Sequence, residues 1–539
     1  MVGQNTLGAG RRNILSALAL ILLCVISYGN TLGNGFLLDD HIFLLGQNTL
    51  KNVSLETLFF EGFQTTYRPI VLTFLKFELI LFGNNQAGYH IVNIILFFAV
   101  CYLFFWILKK LTSNFYISFF SVCFFASHPI NNFLINYKTA GCLSLYVLLM
   151  QVAFLLYIFY LDKKGRCLYV ASLLAYFLSM LAHEITFILP VYLFLLSFLL
   201  KKYDFRKSVL LCLPYLLPFF LFLFIRMNVI HANTITSVFG LKISLGQYIA
   251  SLYKLIWWYN SKIFYPKDIL FIWDEKVVEQ SINAPIIFTI LILFCIWIVS
   301  IVRGRGSLKA FAFNFYLIGF IPMIFSSFTF TRITKTAMIE PHWFVFPSIG
   351  IFLLFVLLLF DVQKILKRRK IFFASIFLIT IVLSLMTRRS NAVWKDDETY
   401  CAYWMQHNTL NGAAYNCRAK AYIRENDKGL ELQKYQNCRE VADIAGTYHI
   451  IGEEEKSLKY YLMALKKNSK CVDAFYGLGN LYMDIGNDKM AEGAFHTIIA
   501  IDPNVQAAYI QLIKIYEKQG KVNEAEKLLQ MLRANRANR

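Results

Sequence analysis

Apolar runs long enough to form helices across a bilayer recur from the start of this chain to about residue 387. A bilayer demands roughly 20 such residues per spanning helix. Hydrophobic residues make up 58% of the 539 and charged residues only 16%, a balance foreign to soluble globular domains. The expected fold class is all-α. A polytopic membrane domain occupies 1–387, a linker 388–414 and a soluble domain 415–539, where the composition turns charged and rich in Tyr and Ala. Arg11-Arg12 precede the first run as in a signal peptide, but no small-residue cleavage site follows, so that run reads as an uncleaved helix.

Eleven intervals read as spans: 13–29, 89–108, 114–127, 139–160, 167–182, 185–200, 208–226, 285–302, 309–327, 342–360 and 371–387. Two more, 67–82 and 246–265, mix charges with aromatics and suit helices lying in the membrane interface. With the N-terminus inside, this count puts Lys109-Lys110, Asp162–Arg166, Lys201–Lys207, Arg303–Lys309 and Lys364–Lys370 on the cytoplasmic side. Short basic loops belong there. The net charge of +20 is therefore a matter of topology, and nucleic acid is not an expected partner. The same count places Asp39-Asp40, His128-Pro129, His183-Glu184 and the tail on the outer side.

The tail repeats. Phe475, Leu478, Gly479, Tyr482, Gly486, Ala491, Phe495 and Pro503 follow tetratricopeptide spacing, and matching residues recur 34 positions later and 34 earlier. Residues 415–440 read as a degenerate earlier helix pair. Such repeats stack into a short solenoid whose usual use is protein binding, for which the equivalent Tyr448, Tyr482 and Tyr516 are candidates. A rigid spacer is the competing reading. An exported tail permits disulfides among Cys401, Cys417, Cys438 and Cys471. Sequence does not give the pairing; Cys417 with Cys438, facing across one hairpin, is the expectation.

Adjacent carboxylates just past a span, as at Asp39-Asp40, are uncommon unless they bind a cation, a sugar or a proton in transit. The alternative is a helix cap. His183-Glu184 sits in a very short hairpin between spans, where an ionisable pair is costly unless used. His41, His90, His128, His183 and His342 lack tight ligand spacing, so no metal is expected.

Several motifs carry a resemblance. Tyr67-Arg68-Pro69-Ile70, Leu81-Phe82-Gly83 and Gly88-Tyr89-His90-Ile91-Val92-Asn93 are similar to membrane O-mannosyltransferases with C-terminal tetratricopeptide repeats, and to their bacterial relatives. So are Asp39-Asp40, Ala126-Ser127-His128-Pro129, Pro347-Ser348-Ile349-Gly350 and Trp394. The resemblance covers nearly the whole chain. It implies the C-type glycosyltransferase fold, a polyprenyl-phosphate sugar as donor, an exported protein acceptor and chemistry on the outer face. It also implies Asp39 as catalytic base, with Asp40 beside it. Arg68, in the same outer loop, suits the departing phosphate, and His128, His183, Glu184 and His342 are further donor-site candidates. The implied location is a bacterial inner membrane with the repeats periplasmic, or a reticulum membrane with luminal repeats. The chain departs from the pattern where Asn131-Asn132 replace acidic residues after His-Pro, where His183 replaces a common Lys, and where Glu340-Pro341-His342-Trp343 replaces Glu-Arg-Tyr. A non-catalytic scaffold for envelope assembly is the competing function.

Overall fold

A computed structural model describes residues 2–45, 50–62, 67–229, 245–270, 273–276, 284–326, 336–407, 417, 437–450 and 453–537. The chain divides into two units, Met1–Tyr400 and Cys401–Arg539. The stretch expected as a linker holds the end of helix Arg369–Asn391 and the helix Asp397–His407.

Among the described residues of the first unit, each of the eleven apolar intervals is mostly helical. Six helices among the described residues are long and apolar enough to cross a membrane: Gly10–Thr31, Gln86–Thr112, Lys138–Lys163, Phe205–Val229, Pro341–Leu366 and Arg369–Trp394. Phe115–Ser127, Arg166–Ala182, Glu184–Leu200 and Leu308–Met323 are apolar but shorter. Leu15, Leu18, Leu22 and Val25 on the first helix, and Phe377, Leu378 and Leu385 on the last, face outward. A continuous apolar exterior of this kind belongs in lipid, and the unit is a membrane domain. The interval 67–82 forms the helix Pro69–Phe82 and 246–265 forms Leu245–Phe264. The latter buries Ala250, Leu255, Trp258 and Tyr259 while Trp257 and Phe264 stay exposed.

Small residues let these helices touch. A Cβ added to Gly350 would lie 2.7 Å from the carbonyl oxygen of Ala312, so Val345–Leu366 meets Leu308–Ile318 backbone to backbone. Aromatic rings fill the remaining space, as where Tyr192 and Phe315 approach to 4.3 Å between centroids.

The basic turns converge. Lys110 and Lys201 both pair with Asp162, at 3.0 and 2.6 Å. Arg305 donates to the carbonyls of Lys202 and Tyr203, each at 2.8 Å. The other ends of the same helices meet in a buried polar network. Asn34 Nδ2 donates to Asn136 Oδ1 at 2.7 Å, and Asn136 Nδ2 to Asn391 Oδ1 at 2.9 Å. His90 spans the carbonyls of Ile135 and Asn34, at 2.8 and 3.1 Å. One antiparallel ribbon, Trp273–Lys276 with Thr336–Ile339, leads directly into Glu340.

In the second unit the first helices of three pairs begin at Cys438, Val472 and Gln506, at the 34-residue period of the sequence. Their partners are Glu454–Lys467, Asp488–Ile501 and Val522–Ala537. Gly479 is required by contact, since a Cβ there would sit 2.5 Å from the Phe495 ring. The degenerate pair expected at 415–440 lies largely outside the described residues. The disulfides are Cys401–Cys417 and Cys438–Cys471, with Cα separations of 5.6 and 6.2 Å. The expected Cys417–Cys438 pairing is thus corrected. Cys438 opens the first helix of one repeat and Cys471 caps the first helix of the next, so the repeat itself brings them together.

Candidate active site

The two adjacent carboxylates have different fates. Asp40 is fully buried; its Oδ2 accepts from the Leu37 N–H at 3.0 Å and its Oδ1 from the Thr139 N–H at 2.8 Å. Burial raises its pKa, against the opposing effect of Lys138 and these N–H donors. Asp40 thereby clamps the loop, and of the pair it is Asp39 that stays accessible. Asp39 is exposed. Its backbone N–H donates to Tyr137 Oη at 3.0 Å, and the preceding Leu38 has φ 46°. A left-handed non-glycine residue is costly unless its surroundings hold it. Here they do: Leu38 N–H donates to Asp397 Oδ1 at 3.0 Å, His41 Nε2 pairs with Asp397 Oδ2 at 2.7 Å, and Gly35 N–H donates to Lys395 O at 2.6 Å. The buried Lys138 ammonium holds the Asn34 carbonyl at 3.2 Å and also that of Gly35.

Asp39 lines an open cleft of about 580 Å³ together with Arg68, Tyr137 and Thr139, over an apolar floor of Leu72 and Leu75. Arg68 caps the helix Pro69–Phe82, and that helix start aims it at Glu184. Nε and Nη2 of Arg68 donate to the two carboxylate oxygens of Glu184, at 3.0 and 2.9 Å. Arg226 Nη1 approaches Glu184 Oε2 at 3.4 Å.

The imidazoles of His183 and His342 lie 5.3 Å apart, and Tyr146 stands 5.1 Å from His183. Tyr146 Oη donates to the His342 carbonyl at 2.7 Å. Nδ1 of His183 accepts from the Ile185 N–H at 3.2 Å, which leaves the ring proton on Nε2. Glu340 approaches His342 Nδ1 at 3.0 Å. Burial pushes the Glu340 carboxyl up to about 8; Arg68 opposes this, and Asp39 and Glu184 add to it. At neutral pH this carboxyl is therefore largely a hydrogen-bond donor.

The fold thus gathers Asp39 and Arg68 into one cleft, and His183, Glu184 and His342 around Arg68. His128 has another occupation. Its Nδ1 accepts from the Ile130 N–H at 3.2 Å and its Nε2 engages the Ile263 carbonyl at 3.0 Å, so neither nitrogen is left for a phosphate. In the tail, Tyr448 and Tyr516 are only 5% and 7% exposed. Tyr448 stacks on Tyr460 at 5.2 Å, Tyr516 bonds Glu492 at 2.7 Å, and Tyr482 packs beside Leu478 and Leu481, so these rings serve the stack itself. Arg226 joins the site without having been singled out by sequence, and Glu340, named there only within the run that replaces Glu-Arg-Tyr, joins it as well. A lone Arg inside the apolar run 208–226 is the signal that marks Arg226.

A tetratricopeptide-repeat model matches residues 489–539. The fruit-fly Drosophila melanogaster protein described as protein O-mannosyl-transferase Tmtc3 is 28% identical over 104 residues, covering 17% of this chain and 11% of that protein. The chain therefore spans about a tenth of the curated relative it matches. These likenesses accompany a helical membrane unit followed by tetratricopeptide repeats, and the similarity to the fly protein extends no further than those 104 residues.

Proposed function

We propose that the chain is a glycosyltransferase of the C-type, moving a sugar from a polyprenyl phosphate to a hydroxyl of an exported protein. The observation that carries this reading is the cleft in which an exposed carboxylate, Asp39, faces Arg68 held in a fork by Glu184. The acceptor oxygen forms a bond to the anomeric carbon as that carbon's bond to the phosphate oxygen breaks. Asp39 takes the hydroxyl proton, and guanidinium charge stabilises the departing phosphate. The name of the fly relative supports mannose as the sugar and protein as the acceptor. The repeats recruit the acceptor or a partner, as such solenoids commonly do. Two disulfides in the tail, with seven membrane-unit cysteines left free, support an oxidising outer compartment for the repeats.

The test follows labelled mannose from polyprenyl phosphate into exported acceptors in membrane vesicles. Asp39→Asn keeps shape but not basicity, so transfer should fall about 10²–10⁴-fold, the contribution of a positioned base, with expression unchanged. Full transfer by this variant would replace the enzyme with a scaffold.

A further inference from the structure

We infer that Arg226 binds the donor phosphate on the lipid-facing side of Glu184, with Glu184 holding it in register with Arg68. This rests on the reading of the donor as a lipid phosphate. Arg226 occupies the last turn of the helix Leu216–Val229, within the span Phe205–Val229. Phe224 and Met227 beside it are 69% and 64% exposed, so this helix presents its apolar surface to lipid. A cation there is costly unless it pairs or works.

Glu184 answers only part of the charge. Both its oxygens already accept from Arg68, and Arg226 adds a second guanidinium at 3.4 Å. Two guanidiniums share one carboxylate, and their side chains stay 28% and 32% exposed. Such an arrangement retains a positive charge and donors for an anion. Arg68 has committed Nε and Nη2 to Glu184, whereas Arg226 touches it through Nη1 alone. Arg226 is thus the better placed to offer a fork, the geometry phosphate prefers.

An independent feature points to the same ligand. His183, next to Glu184, is 2% exposed, and among the described residues its Nε2 has no hydrogen-bond partner. With Nδ1 occupied by the Ile185 N–H, Nε2 carries the proton. A buried donor of this kind calls for an acceptor, and its ring sits beside the Arg226–Glu184–Arg68 row, with Nδ1 3.8 Å from Glu184 Oε2. A lipid-borne headgroup enters sideways from the bilayer, which is where Arg226 stands and a soluble phosphate has no reason to collect.

The experiment measures binding of farnesyl monophosphate to the purified full chain in detergent micelles, with farnesol and inorganic phosphate in parallel. Wild type should bind farnesyl monophosphate and neither control. Arg226→Gln should weaken it roughly ten- to a hundred-fold, the range for a lost charged hydrogen bond. Unchanged affinity in Arg226→Gln, with wild type binding normally, overturns the role of Arg226 and leaves the donor reading standing. No binding by wild type removes the donor reading and this inference together. Equal binding of inorganic phosphate overturns the lipid source. Should Arg226→Gln not fold, Arg226→Lys decides: it keeps the charge and loses the fork, so unchanged affinity there also overturns the assignment.

Discussion

Asp39 and Asp40 differ by one position along the chain and by nearly everything else. Asp40 is enclosed by the N–H groups of Leu37 and Thr139, and Asp39 opens onto the cleft. Asp40→Asn keeps one acceptor oxygen and leaves one of those N–H groups facing an amide nitrogen. An unsatisfied buried donor costs about 1–3 kcal/mol, so its thermal midpoint in detergent should fall while that of Asp39→Asn stays put. Equal midpoints would remove the clamp. Glu340 gives a pH prediction with a definite sign. Its folded pKa of about 8 exceeds the ordinary 4.5, so the folded chain binds the extra proton between those values. Stability from this group therefore declines as pH rises from 4.5 towards 8, and Glu340→Gln, which stays neutral, should flatten that slope in the thermal midpoint. A slope unchanged by the substitution would show that Glu340 is charged throughout. The sequence marked the Asp pair as unusual, but burial separates the two, and burial depends on Thr139 and Tyr137, about a hundred residues on.

At the scale of elements the repeats were the most legible part, because their spacing is a local, periodic consequence of two helices touching at small residues. Gly479 against Phe495 shows the cause directly. The disulfide partners were not legible, since a hairpin argument looks within one repeat and Cys438–Cys471 joins neighbours. Peptide mapping under non-reducing conditions should recover Cys401–Cys417 and Cys438–Cys471; four free thiols would contradict both. Loops of 16 and 33 residues are closed by these bonds, and native disulfides typically contribute about 2–5 kcal/mol. A soluble fragment beginning at Asp396 should therefore be strongly helical and melt cooperatively, and reduction should lower its midpoint. A coil-like circular dichroism spectrum would mean that the repeats fold only with the membrane unit.

The membrane unit is organised by two ends of one helix array. The intervals of helix were readable from hydropathy alone, because every backbone polar group in lipid must be satisfied within its own segment. Which helices bring Arg68, Glu184 and Glu340 together was not, since those residues are more than a hundred positions apart and meet only through packing. Orientation is the property on which the proposed transfer depends. The basic turns at Lys110, Lys201 and Arg305 interlock at one end, and the loop of Asp39 is tied to Asn136 and Asp397 at the other. The positive-inside rule predicts that the first end faces the cytoplasm. In a chain freed of native cysteines, single cysteines at Lys201 and Lys367 should be shielded from an impermeant thiol reagent in intact cells. A cysteine at the exposed Lys489 of the repeats should be labelled. The reverse pattern would put the cleft and the repeats in the cytoplasm, where exported acceptors never pass, and the proposed transfer would lose its substrate.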